Sequence, residues 1–217
     1  MTRPETGDTA RPLRIEVLTG DAVAARLDDM AALRIAVFRD WPYLYDGALD
    51  YERRYLRVYR DSLDAIIVGA FDGDRLVGAA TGAPMEDHAA EFAAPLAAVG
   101  LAPQDIFYLA ESVVLPGWRG RGLGHAFFDR REAQARRLGR LRCLFCSVLR
   151  PDDHPACPAD YRPLDPFWRK RGYAPLPGAV ARFAWRDVGS AEETEKPLRI
   201  WTRALQDLRL RTGGNRR

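Results

Sequence analysis

The sequence predicts one mixed α/β domain, in which a central mixed β-sheet is flanked by helices. Three observations support this prediction. The 217 residues are 47% hydrophobic and 29% charged, which suits a chain that buries one core of its own. Strand-like apolar segments are interleaved with segments of helical spacing, and two of the strand-like segments flank a short turn. We expect the domain to span residues 12–208, with polar, flexible tails at 1–11 and 209–217.

The first part of the chain predicts a strand, two helices and a hairpin. "LRIEVL" alternates like a strand, and Asp21 is placed to cap the helix that follows. Residues 31–39 have a helical pattern. Tyr51, Tyr55 and Tyr59 also recur at helical spacing, which we interpret as a packed face rather than a ligand site. "AIIVGAF" and "RLVGAATGA" lie on either side of "DGD" and predict two antiparallel strands.

The second part predicts the remaining strands of the sheet. A loop with Pro84, Pro95 and Pro103 leads to "IFYLAESVVL", a long strand. A glycine-rich turn and a helix to about Leu138 follow, with Gly139 as the C-terminal cap. "RCLFCSVL" is the next strand, and a proline-broken segment precedes a short helix around "FWRKR". "AVARFAWRDV" and "PLRIWTRAL" complete the sheet as an antiparallel pair.

Charge and hydropathy argue against two classes of partner. The formal net charge is +3, and 30 acidic residues are interspersed among 33 basic ones, so we expect no nucleic-acid partner. No apolar run approaches the roughly 18 residues that span a bilayer, and "MTRPETGDTARP" lacks the apolar stretch of a signal peptide. We therefore expect a cytoplasmic protein with no membrane partner.

The three cysteines predict neither a disulfide framework nor a metal site. Cys143, Cys146, His154 and Cys157 superficially resemble a zinc knuckle. However, the first two lie three residues apart in a predicted strand, where they point to opposite faces. We expect no metal.

Three glycines alternate in "RGRGLG", residues 119–124, between a strand-like segment and a helical one. Unpaired amides and the helix dipole make such a turn a general anion site. The segment lacks the Gly-Lys-Ser/Thr of nucleotide hydrolases and the third-glycine spacing of the dinucleotide fingerprint. The alternative interpretation is a turn that only joins a strand to a helix.

The pattern Arg119-x-x-Gly122-x-Gly124, preceded by "VLP", resembles the signature of the GNAT superfamily of acyl-CoA-dependent N-acyltransferases. The predicted order of elements is similar to that fold over nearly the whole domain. The resemblance implies acetyl-CoA as the acyl donor, with its pyrophosphate on the amides of residues 120–125. It assigns cofactor binding to Val113, Val114, Leu115, Arg119, Gly120, Arg121, Gly122, Leu123, Gly124 and His125.

Two polar residues, Glu111 and Ser112, interrupt the apolar strand "FYLAESVVL". Burial raises the pKa of a carboxyl towards the range useful for proton transfer. Several members of the family deprotonate the amine with a glutamate on this strand. The resemblance therefore implies that Glu111 is the general base, Ser112 a water-positioning neighbour and the Val114 N–H an oxyanion donor. The alternative is an ion pair between Glu111 and an arginine such as Arg39, with only a structural role.

Many members of the family protonate the departing thiolate with a tyrosine four residues before a Gly-aromatic pair. This sequence has Trp168 at that position, and an indole has no transferable acidic proton at neutral pH. Tyr161, Tyr108, Cys157 and water are the alternative acids. A thiol with a pKa near 8.5 needs little help to leave.

Two segments are expected to line the acceptor site: "FRDWPYLYDG" and the insertion at residues 150–166. From them we select Arg39, Tyr43, Tyr45 and Tyr161 as substrate-binding residues. The alternative is that these aromatic side chains pack the helix junction.

The favoured function is N-acetyl transfer from acetyl-CoA to a primary amine, on a small molecule or a peptide, by direct attack in a ternary complex. A catalytically silent acyl-CoA-binding module is the alternative. We also expect a homodimer, because the two terminal strands carry apolar residues that leave a sheet edge to be covered.

Overall fold

The computed structural model describes residues 12–19 and 21–205 of the chain. The predicted tails at 1–11 and 209–217 lie outside the described residues, as do residues 206–208 at the end of the predicted domain. Of the helices in the described part, none is both long enough and apolar enough to cross a membrane.

The described chain contains both helices and strands. The helices are α1 (Asp21–Ala24), α2 (Leu27–Phe38), α3 (Leu49–Asp61), α4 (Ala89–Ala98), α5 (Leu123–Arg137) and α6 (Asp165–Lys170). The strands are β1 (Arg14–Leu18), β2 (Ile66–Asp72), β3 (Arg75–Pro84), β4 (Ile106–Tyr108), β5 (Ser112–Val114), β6 (Arg142–Val148), β7 (Ala174–Arg186) and β8 (Glu193–Ala204).

The strands form one sheet of order β1-β2-β3-β4-β6-β8-β7, in which β5 also pairs with β3. The pairing of β4 with β6 is parallel and the other pairings are antiparallel. The predicted fold class, a mixed sheet flanked by helices, is confirmed. So are both predicted antiparallel pairs, β2 with β3 and β7 with β8. At the first of these, Gly73 has a φ of 60°, the left-handed conformation that a tight hairpin turn requires.

Helices cover both faces of the sheet. On one face, α2 and α3 pack on β2, β3 and β5 through an apolar cluster that includes Met30, Leu33, Leu56, Ile67 and Val113. Further along this face, α4 packs on β7 and its neighbours through a cluster that includes Phe92, Leu96, Leu144 and Ile200. On the opposite face, α5 packs through a cluster that includes Phe107, Phe127, Phe128, Cys143 and Trp201.

The predicted proline-containing loop holds a helix that sequence analysis missed. In α4, "AAEFAAPLAA", six of the ten residues are alanine, the strongest helix former. Pro95 lies inside the helix and removes one helical hydrogen bond. Phe92 and Leu96, four residues apart on one side of the helix, are buried and offset that loss. Asp21, predicted as a cap, is the first residue of α1 itself.

The predicted long strand "IFYLAESVVL" is two strands with a break at residues 109–111. β4 pairs with β3 on one side and with β6 on the other, whereas β5 pairs with β3 alone. The N–H of Leu109 donates to the carbonyl of Leu144 at 2.8 Å, where the pairing with β6 ends. Beyond this point β5 pairs with β3 and β6 pairs with β8, but β5 and β6 do not pair with each other, so the sheet opens between them.

Candidate active site

Backbone groups of β5 face the opening between β5 and β6. The carbonyl of Glu111 and the N–H of Leu115 bond to β3 at 3.1 and 3.0 Å. Because backbone groups alternate in direction along a strand, Ser112 and Val114 direct their N–H groups away from β3. The Val114 N–H, predicted as an oxyanion donor, therefore points into the opening. The carbonyl of Val114 accepts a hydrogen bond from Nε of Arg119 at 3.1 Å.

The glycine loop leaves a row of amides without partners at the start of α5. Gly120 and Gly122 have φ of 77° and 80°, and Gly122 is the residue that caps the helix. A Cβ on either would meet no heavy atom within 4 Å. Among the described residues, no group accepts a hydrogen bond from the amides of residues 120–124. Such a concave row at a helix N-terminus binds anions, so the loop fits a pyrophosphate.

The next two residues of the predicted cofactor set have packing roles. A Cβ on Gly124 would lie 3.3 Å from the ring of Phe167, so this glycine lets α6 approach α5. The N–H of His125 donates to the carbonyl of Gly122 at 3.0 Å. Its imidazole contacts the ring of Phe167, with centroids 5.0 Å apart, and a guanidinium nitrogen of Arg171 at 3.2 Å. The open amides therefore end at Gly124.

Glu111 is 8% exposed and lies at the strand break. Its Oε1 is 2.6 Å from Nη1 of Arg34 in α2, and its Oε2 accepts a hydrogen bond from the hydroxyl of Tyr55 in α3 at 3.2 Å. The ion pair of the alternative interpretation is present, but the arginine is Arg34 and not Arg39. Arg39 follows the last residue of α2, its side chain is 56% exposed, and it pairs with Asp46 at 3.3 Å.

Arg34 is shared by two buried carboxylates. Its Nε donates to the fully buried Glu52 of α3, and its Nη1 contacts Glu111. Burial alone would lower the pKa of Arg34, but the charges of Glu111 and Glu52 raise it well above its usual value. The two carboxylates and one guanidinium carry a formal charge of −1. Sequence analysis missed Arg34 and Glu52.

Buried tyrosines surround this ion cluster. The hydroxyls of Tyr55 and Tyr59 are 3.2 Å apart. Burial raises the pKa of Tyr55, Tyr59 and Tyr108 well above the usual value, and the negative charge of Glu111 adds to this effect. These hydroxyls are therefore neutral at physiological pH. The predicted tyrosine stripe is only partly a packed face, because Tyr51 is 51% exposed and Tyr55 contacts the candidate base.

The side chain of Ser112 lies on the face opposite that of Glu111. Its hydroxyl oxygen accepts a hydrogen bond from Nη2 of Arg131 in α5 at 2.7 Å. Since Glu111 contacts α2 and α3, the structure does not bring the predicted water-positioning side chain to the carboxylate.

The two segments predicted to line the acceptor site meet. Trp41 contacts the ring of His154 at a centroid distance of 5.1 Å and that of Tyr161 at 5.9 Å. Tyr43 packs between Phe38 and other aromatic side chains, and burial raises its pKa.

The remaining predicted acceptor residues differ in exposure. Tyr45 forms a β-bridge with Asp187, and burial raises its pKa, whereas Tyr161 is half exposed. The interpretation that these aromatic side chains pack a junction therefore holds for Tyr43 and Tyr45. Arg39 and Tyr161 remain accessible.

The sequence was compared with known proteins. A model of the acetyltransferase (GNAT) family matches residues 30–159, more than half of the chain. The chain belongs to the GNAT family. Membership of this family supports the prediction that the protein is an acyltransferase. None of the curated proteins matches the chain.

Solved structures show the same fold. An N-acetyltransferase from Staphylococcus aureus Mu50 is similar at a TM-score of 0.58 and 12% identity, over 90% of this chain and 100% of that chain. A ribosomal-protein-alanine N-acetyltransferase from Brucella melitensis has a TM-score of 0.57 at 14% identity, over 88% and 99%. PaiA N-acetyltransferase from Thermoplasma acidophilum, solved in complex with coenzyme A, has a TM-score of 0.50 at 12% identity, over 89% and 99%.

Trp168 of this GNAT protein is partly buried and packs against the core. Its indole packs against Phe145 and Trp201, with centroids 5.0 and 5.1 Å away. Of the alternative acids, Tyr108 is buried with a raised pKa, and Cys157 lies in the insertion with its Sγ 3.8 Å from the carbonyl of Pro158.

The two strand cysteines lie on opposite faces of the sheet. Cys143 belongs to the apolar cluster under α5, and Cys146 belongs to the cluster under α4. Within the part of the chain that the structure describes, no group of three or more His, Cys, Asp or Glu side chains could hold a metal ion.

Proposed function

We propose that this GNAT protein transfers the acetyl group of acetyl-CoA to a primary amine by direct attack in a ternary complex, with Glu111 as the general base. The observation that carries the proposal is the position of Glu111. It is a buried carboxylate at the break between β4 and β5, where the backbone faces an opening. An apolar strand would need no such residue for packing.

The chain would hold acetyl-CoA through the glycine loop and β5. The open amides of residues 120–124 suit the pyrophosphate, and the exposed guanidinium groups of Arg119 and Arg121 add positive charge beside them. The N–H of Val114 is available to the thioester oxygen as negative charge develops there. When bound, acetyl-CoA supplies the activated acyl group and a thiolate that leaves.

The acceptor amine would approach the carboxylate side of the opening. The buried cluster of Glu52, Glu111 and Arg34 has a formal charge of −1, which favours a cation such as an ammonium group. Glu111 accepts the proton that the ammonium loses, and the freed nitrogen forms the bond to the thioester carbon as the carbon–sulfur bond breaks. The nitrogen then loses its second proton, which water carries to the departing thiolate, because the indole of Trp168 has no transferable acidic proton.

Arg39 and Tyr161 are the proposed contacts to the body of the acceptor, because they are accessible beside Trp41 and His154. Tyr43 and Tyr45 would shape the wall behind them. The acceptor is an amine on a small molecule or a peptide.

Release of the CoA thiol from acetyl-CoA, measured against a panel of amines, tests the proposal. We expect amine-dependent thiol release and a mass increase of one acetyl group on the amine. Tight acetyl-CoA binding without thiol release for any amine would instead support the silent binding module. The cytoplasmic location and the homodimer stay predictions, and the mass measured by solution scattering checks the second.

A further inference from the structure

Arg131 of α5 is buried at the strand break and makes four hydrogen bonds there. It is 1% exposed. Its Nη1 donates to the carbonyls of Thr81 and Glu111 at 3.0 and 2.9 Å, and its Nη2 donates to the hydroxyl of Ser112 at 2.7 Å. Its Nε donates to the carbonyl of Phe127, one turn earlier in α5, at 3.1 Å. One side chain thus joins α5 to β3, to the last residue of the break and to the first residue of β5.

The acceptors of Arg131 are neutral oxygens. In the described chain, no carboxylate lies within ion-pair distance of its guanidinium, unlike the buried Arg34. Burial lowers the pKa of Arg131 to about 10, which still leaves it charged at neutral pH. A buried charge without a counter-ion destabilises a fold, and an apolar side chain of similar size would pack against Phe128 at no such cost. The position therefore indicates a role other than stability.

We propose that Arg131 is a positioning residue for acetyl transfer, one that holds the break between β4 and β5 in the geometry that aims Glu111 and the start of β5. Its forked guanidinium (the fork) bonds the carbonyl of Glu111, the last residue of the break, and the hydroxyl of Ser112, the first residue of β5. At Glu111 the chain no longer pairs with β6, and β3 is the one strand to which this residue is bonded. Among the described residues, the other donor to this carbonyl is the N–H of Thr81 in β3 at 3.1 Å, so the fork supplies its link to α5.

The fork binds the backbone of Glu111 and not its side chain, so it does not itself occupy the carboxylate. The groups that face the carboxylate come from other elements: Arg34 of α2, Tyr55 and Tyr59 of α3, Tyr108 of β4 and Tyr43. The inference rests on the proposed role of Glu111. A loss of geometry at the break would leave the proposed pyrophosphate contacts of the glycine loop in place. It would therefore lower turnover more than it lowers acetyl-CoA binding.

The test compares Arg131→Met with Arg140→Met and Arg130→Met. Arg140 is a largely buried arginine that bonds Glu86 and the carbonyl of Gln104 at the far end of the sheet, and Arg130 is exposed on the same helix. We expect Arg131→Met to lower kcat by about 10- to 100-fold while the KM for acetyl-CoA stays within about twofold. Both controls should keep the kcat of the wild type. An unchanged kcat in folded Arg131→Met, or an equal loss in Arg140→Met, would overturn the inference.

Arg131→Lys and amide hydrogen exchange cover the other cases. Lysine keeps the charge but loses the planar fork, so we expect its kcat to fall as well. A wild-type kcat in Arg131→Lys would overturn the inference even if Arg131→Met does not fold. Exchange at residues 109–114 should be faster in either Arg131 variant than in Arg140→Met. This measurement needs no turnover, so it tests the fork even if Glu111→Gln shows that Glu111 is not the base.

Discussion

Glu111 and Glu52 present two carboxylates to the same arginine, yet only Glu111 lies at the opening beside β5. The two residues are therefore a natural pair for separating catalysis from structure. Each is buried, and each loses one contact to Arg34 when its charge is removed. Their difference lies in what each side chain could reach beyond the arginine.

We expect Glu111→Gln to lower kcat by about 10² to 10⁴ with little change in acetyl-CoA affinity, because it removes the proton acceptor and keeps the shape. Glu52→Gln should lower the melting temperature by a similar amount to Glu111→Gln, because each leaves Arg34 with one carboxylate. However, Glu52→Gln should keep most of the kcat. Steady-state kinetics and thermal unfolding of both variants check this. Equal kinetic losses in the two variants would mean that Glu111 has only a structural role.

The sequence could predict Glu111 but not its partner. A carboxylate in an apolar strand can be recognised from the sequence, because the prediction depends only on the residues next to it. The choice between Arg34 and Arg39 depends on which side of α2 faces the sheet. Arg34 lies four residues after the buried Met30 and one after the buried Leu33, on the packed side of the helix. The helical periodicity of the sequence therefore indicated Arg34, whereas the alternative interpretation named Arg39 as an example.

The glycine loop and α5 form the element that would bind the pyrophosphate. Gly122 and Gly139 sit at opposite ends of this helix with φ of 80° and 69°, and a Cβ on either would meet no atom within 4 Å. Any side chain at either position is strained in the same way. Only Gly122 borders the open amides.

We expect Gly122→Ala and Gly139→Ala each to lower the free energy of unfolding by about 1 kcal/mol, because alanine is strained at a positive φ. Gly122→Ala should also weaken acetyl-CoA binding several-fold, whereas Gly139→Ala should not. Calorimetric titration and denaturant unfolding of both variants measure these effects. If the two variants bind acetyl-CoA equally well, the loop is only a turn between a strand and a helix.

Elements with a local signal were predicted, and those set by tertiary contacts were not. The hairpin at "DGD" and the helix between Gly122 and Gly139 carry their own turn and cap residues. The break in "IFYLAESVVL" carries none. β6 pairs with β8 along its whole length but with β4 only as far as Leu144, so β5 has β3 as its one strand neighbour. The bonds of Arg131 that hold the break come from 19 and 20 residues along the chain.

Arg150 joins three parts of the chain that surround the proposed acceptor site. It begins the insertion and donates to the carbonyls of Pro42 and Tyr43 at 3.0 and 2.6 Å. Both of its terminal nitrogens also bond Asp187, just after β7, at 2.8 Å. The segment that contains Tyr43 and the insertion therefore keep their relative position through one guanidinium.

The charge of Asp187 makes this connection dependent on pH. Burial alone would raise the pKa of Asp187, but Arg150 and Lys196 outweigh burial and hold it below its usual value. A carboxyl whose pKa is lower in the folded state contributes stability above its unfolded pKa of about 3.9. That contribution is lost as the pH falls through the folded pKa.

We expect Arg150→Met to lower the free energy of unfolding by about 1–3 kcal/mol at pH 7, because a largely buried pair loses its cation. The difference from the wild type should begin to shrink below about pH 4, and it should shrink further as the pH falls through the lowered pKa that Asp187 has in the folded wild type. The KM for the amine should rise while acetyl-CoA binding is unchanged, since the glycine loop is not part of the connection.

Arg53→Met is the control, because Arg53 makes a similar two-bond pair with Asp28 on the exposed surface. Thermal unfolding at several pH values and the two KM values check these expectations. A pH-independent difference would mean that Arg150 acts through the carbonyls of Pro42 and Tyr43 rather than through Asp187.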